Sequence, residues 1–79
     1  MSLELVERAN IIDVGVRAML ARLDLTRTDD EHERALDALM GISLAADALR
    51  ALARGDLAGA REATRSMAYY ARKAQGPAG

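Results

Sequence analysis

The side chains able to ligate a metal, attack a carbonyl or relay a proton are few in this chain. His32 is the single histidine, and Asp29 stands three residues before it. On a helix that spacing sends both side chains to one side, as in carboxylate–histidine metal bundles. Such centres need two of these motifs plus further carboxylates aimed into a core; here there is one, at a helix start. No metal site is expected, and His32 reads as a surface or seam-edge residue. Cysteine is absent, which excludes disulfides and thiolate ligands. One histidine with no nucleophile–base partner gives no triad. The glycines are scattered singly and build no phosphate cradle. Asp29, Asp30, Glu31 and Glu33 lack the alternating ligands and central glycine of a calcium loop, and read as helix-start residues. The expectation is a protein without catalytic residues and without a cofactor.

One surface carries suggestive chemistry. Arg61, Arg65, Tyr69 and Arg72 recur at i, i+4, i+8 and i+11, with Lys73 adjacent. A basic helical stripe with an aromatic can contact phosphates and stack on a base. Against this, the net charge is −1 and the pI about 5.7, whereas nucleic-acid binders usually show a stronger basic footprint. The competing reading is a solvated face whose arginines pair with acidic residues. The acidic residues are available: up to residue 40 there are nine carboxylates against five arginines, and beyond it six cations against three carboxylates.

The elements that position these residues are helical. The longest runs over 29–54. Thr28 and Glu31 fit a capping box, acidic residues follow on the positive end of the helix dipole, and Gly55 suits the left-handed residue after the last turn. Between the caps, Ala35, Leu39, Ile42, Ala46, Leu49 and Ala53 repeat at four-three spacing, one apolar seam. A first helix over about 2–24 carries a matching seam of Leu5, Ala9, Ile12, Val16, Met19 and Leu23, with Ser2 as its N-cap. Glu4–Arg8 and Asp13–Arg17 are i,i+4 ion pairs in the favourable order. The short link Leu25–Arg27 makes the two helices antiparallel neighbours. Gly15 and Gly41 predict close approach of the two axes. Gly55 and Asp56 form the second joint, and a third helix spans 57–74 with Leu57, Ala60, Ala63, Met67, Tyr70 (or Ala71) and Ala74 inward. Adjacent Tyr69 and Tyr70 point about 100° apart, one inward and one at a rim. Residues 76–79 read as a flexible tail.

The junction Ala51–Ala60 resembles a tetratricopeptide helix–turn–helix in its turn chemistry. No repeat at a fixed period accompanies it, and no family follows from it.

The fold class expected is therefore all-α: one domain over 1–75, a long antiparallel αα-hairpin plus a third helix. Small cores are marginal without disulfides, metals or assembly, and the seams are longer than one small chain buries. A homodimeric helical bundle is expected, with the seam residues Leu5, Ile12, Val16, Met19, Leu23, Leu39, Ile42 and Leu49 at its centre and the third helix across it or at its end. No apolar run reaches the roughly 20 residues of a membrane span, and Glu4 and Glu7 break the first apolar stretch, unlike a signal peptide. The cytoplasm is the expected compartment. The expected function is a self-associating interaction or assembly module, an adaptor or regulator. The alternative is a nucleic-acid-associated regulator using Arg61, Arg65, Tyr69 and Arg72.

Overall fold

The computed structural model describes residues 3–24 and 26–76. Three helices form: α1 (Leu3–Arg22), α2 (Asp30–Ala53) and α3 (Leu57–Gln75), with no strand among the described residues. The fold is all-α, as the periodicity predicts. Ser2 and the tail beyond Gly76 lie outside the described residues.

Each helix end has a chemical cause. Asp29 caps α2, its Oδ1 accepting from the His32 amide at 2.8 Å. The expected Thr28–Glu31 capping box gives way to a simple N-cap one residue later: Asp is as good an N-cap as Thr, and Asp29 is also held by Arg27, whose Nε donates to its Oδ2 at 2.8 Å. At the other end Gly55 has φ +77, a backbone state that costs L side chains strain. Its amide donates to Leu52 O at 3.0 Å. Asp56 then caps α3, accepting from Gly59 N at 2.8 Å.

α2 is the middle element. α1 packs on one side and α3 on the other, and α1 and α3 do not touch. Three axes in a row, about 8–10 Å apart with Cα cylinders of about 2.3 Å radius, span roughly 21–25 Å. The molecule measures 42 × 27 × 16 Å, so its width matches a row; a closed three-helix triangle is narrower. α3 therefore lies alongside α2, not across or at the end of the hairpin.

The α2–α3 contact is the closer of the two. A methyl on Gly41 would stand 3.6 Å from Met67 O and 3.8 Å from Ala71 N, so α3 backbone lies almost against α2. The expected close approach at Gly41 exists, but toward α3. Among the described residues Gly15 meets nothing within 4 Å and makes no close approach. α1 is fixed instead by Ala9 and Val16, both buried, and by Arg50. Its Nη2 donates to Asn10 Oδ1 at 2.9 Å and to Asp13. Asp13 thus bridges to α2, and the expected Asp13–Arg17 pair is not made, because a half-buried site strengthens the longer-range pair. Glu4–Arg8 forms as expected, at 2.8 Å.

The core is thin. The buried apolar residues among those described are Ala9, Val16, Leu39, Ala46, Ala51, Ala53 and Ala60, and no large side chain is fully buried. Alanine lets helices approach but removes little apolar area from water, at about 25 cal/mol per Å². Leu57, expected inward, is exposed at the first position of α3, where the helix has not yet closed on α2.

Candidate interaction surface

The α2 seam divides in three dimensions. Leu39, Ala46 and Ala53, seven apart, are buried. Ala35, Ile42 and Leu49, also seven apart, lie about 60° round the helix from them toward one open face, and there Ile42 remains 41 % exposed. A third heptad row, Ala38, Ala45 and Leu52, completes that face, with Leu52 45 % exposed. The sequence reading misses Ala38 and Ala45; their seven-residue spacing with Leu52 is the signal that could have revealed them.

This ridge is flanked by open concavities on both sides. On the α1 side, Met19 and Leu23 with Ala35, Ala38 and Ile42 line a concavity of about 400 Å³, and Leu49 lines another with Arg8, Ile11 and Ile12. On the α3 side, Ala38, Ile42 and Ala45 line a third of about 360 Å³ with Met67, Ala71 and Ala74. Leu52 borders a fourth with Leu57, Arg61 and Arg65. The predicted seam residues thus fall into two groups. Val16 and Leu39 are buried between α1 and α2, with Leu5, Ile12 and Leu23 half-buried beside them. Met19, Ile42 and half-buried Leu49 line the open grooves.

The outer edge of α1 is apolar as well: Ile11 is 71 % and Val14 65 % exposed. A helix apolar on several sides is normally covered on several sides. Contiguous exposed apolar area of this kind marks interaction surfaces.

Helix α3 holds the basic stripe. Arg61, Arg65, Tyr69 and Arg72 are all exposed, and Arg61 and Arg72 have no ion-pair partner among the described residues. Arg65 is engaged with Glu62 at 3.4 Å, and Lys73 with Asp37 of α2 at 3.6 Å. Lys73 Nζ also sits 5.6 Å from both tyrosine ring centroids, which pack edge to face at 5.2 Å. Tyr70 is half-buried and Tyr69 exposed, as their adjacency requires.

His32 departs from expectation. It is 3 % exposed, not a surface residue, and its Nε2 has no hydrogen-bond partner among the described residues. The reason is position: it stands seven residues before Leu39, in line with the buried row of Leu39, Ala46 and Ala53. Among the described residues no group of three His, Cys, Asp or Glu could hold a metal ion. The charged groups nearby do structural work. Hydrogen bonds from the His32 amide, and then from Arg27, hold the Asp29 carboxyl below its ordinary pKa. The Thr26 hydroxyl and amide do the same for Asp24, at 2.6 and 3.0 Å.

No helix among the described residues is long and apolar enough to cross a membrane. Comparison with protein-family models, curated proteins and solved structures finds no match to this chain.

Proposed function

We infer that this chain is a non-enzymatic, self-associating helical module, a cytoplasmic adaptor or regulator whose working surface is the open α2 face. The observation that carries this is the pairing of a thin core with a broad exposed apolar face. The buried set is mostly alanine, while Ile11, Val14, Met19, Ile42 and Leu52 remain in water. A chain of this size usually needs a further source of burial to be stable, and association supplies it. The test is native mass by light scattering over a dilution series. The expected mass is twice that of the chain, falling to one chain in Ile42→Glu. A soluble, fully helical Ile42→Glu protein of unchanged mass would contradict the reading. Val16→Glu, which puts a charge between α1 and α2, should instead unfold the chain itself.

A second reading, a nucleic-acid-associated regulator, draws support from the exposed Arg61 and Arg72, without an ion-pair partner among the described residues, on the same helix as exposed Tyr69. It requires salt-dependent binding to DNA or RNA that weakens in an Arg61→Ala, Arg65→Ala double variant. Absence of binding at low salt removes it.

A further inference from the structure

We propose that the open α2 face is covered by the same face of a second copy, with the two α2 helices antiparallel about a two-fold axis between Ile42 and Ala45. This rests on the self-association reading and adds the surface, the register and the direction.

The first argument is shape. A two-fold interface must be complementary to itself. Along the ridge the residues run Ala35, Ala38, Ile42, Ala45, Leu49 and Leu52. Reversing that order against itself sets Ala35 opposite Leu52, Ala38 opposite Leu49 and Ile42 opposite Ala45. Every layer then pairs a small side chain with a large one, the interdigitation that fills space without strain. A parallel alignment gives the opposite result. Ile42 meets Ile42 and Leu49 meets Leu49, while Ala38 meets Ala38, so three of the six layers are overfilled and three are empty. Both errors cost stability. The three-four spacing also matches helices that pack near +20°. The partner's Ile42, Leu49 and Leu52 have receptacles, since the grooves on both sides of the ridge are open and mainly apolar.

The second argument is charge. The start of α2, residues 29–37, holds the five carboxylates Asp29, Asp30, Glu31, Glu33 and Asp37 against Arg34 alone. Its far end and the adjoining part of α3, residues 47–65, hold Arg50, Arg54, Arg61 and Arg65 against Asp47, Asp56 and Glu62, so the first end is strongly acidic and the second slightly basic. Antiparallel pairing sets the acidic end of each copy near the basic end of the other and opposes the two helix dipoles. Parallel pairing would bring acidic start to acidic start.

The chain has no cysteine, so single-cysteine variants report on register directly. Ile42→Cys and Ala45→Cys are each treated with a short bismaleimide, as are Ala35→Cys, Leu52→Cys and an equal mixture of those two. Light scattering and circular dichroism on each variant check mass and helicity. The expected result is a covalent dimer from Ile42→Cys and from Ala45→Cys alone. None should form from Ala35→Cys or Leu52→Cys alone, whose copies stand about 26 Å apart at 1.5 Å per residue. The mixture should cross-link strongly. Self-cross-linking at all four positions with none added by mixing would mean a parallel pair and overturn the proposal. A dimeric mass with no cross-link on the ridge would overturn it too, leaving self-association intact on another surface. A monomeric mass for the unsubstituted chain would remove the self-association reading itself. Ala45→Cys is a near-isosteric change, so loss of folding does not obscure the central position.

Discussion

Gly41→Ala isolates how closely α2 and α3 approach. Glycine inside a helix costs about 1 kcal/mol relative to alanine. The methyl that alanine adds would stand 3.6 Å from Met67 O, 3.8 Å from Ala71 N and 3.8 Å from Tyr70 Cβ. These are ordinary van der Waals distances, so the methyl fills space without displacing backbone. Gly41 is buried, and burying one carbon adds up to about 0.8 kcal/mol. Gly41→Ala should therefore stabilise by about 1 kcal/mol. For a domain of 60–100 residues that raises Tm by roughly 4–8 °C. Gly41→Leu extends into positions held by α3 backbone, which cannot swing aside as a side chain can. Overpacking of that kind costs about 1–3 kcal/mol. The assay is thermal and urea unfolding followed by far-ultraviolet circular dichroism, at one fixed protein concentration, since any association would make Tm depend on concentration. A loss of 1 kcal/mol or more in Gly41→Ala would refute the spacing of α2 and α3. Equal stability for Gly41→Leu would refute their contact.

Two further predictions concern the helix ends. The Asp29 carboxyl is held below its ordinary value of about 3.8, so the folded state favours the ionised form. The stability this adds is complete above that value and is lost as pH falls through the lower folded pKa. Asp29→Asn keeps a capping oxygen, so wild type should melt higher than Asp29→Asn near neutral pH, and the gap should close well below 3.8; a gap independent of pH would contradict it. At Gly59 an added Cβ would run into the Asp56 capping carboxylate. Gly59→Ala alone should gain nothing, since losing a cap costs about 0.5–2 kcal/mol. In an Asp56→Ala background the same change should stabilise by about 1 kcal/mol. Equal effects in both backgrounds, measured by urea unfolding, would show that the two residues do not compete.

The sequence by itself determined what is local. Helix existence and ends follow from short-range chemistry: acidic residues before α2, Gly55 after it, Asp56 at the next start, and heptad spacing between. So do the α1–α2 contact through Val16 and Leu39 and the division between Tyr69 and Tyr70. Tertiary structure decided what depends on the third dimension. A four-three pattern specifies a stripe but not how many neighbours share it. α3 settles beside Gly41, where small residues let backbones meet, and this turns Ile42 and Leu49 from seam positions into an open ridge. The choice of Arg50 by Asp13 over Arg17 depends on the hairpin closing, since residues distant in the chain meet only after the helices pack. Ala38 and Ala45 escaped the sequence reading because alanine carries little hydrophobic signal. Their place on the exposed face becomes visible only when α1 and α3 are seen to occupy opposite sides of α2.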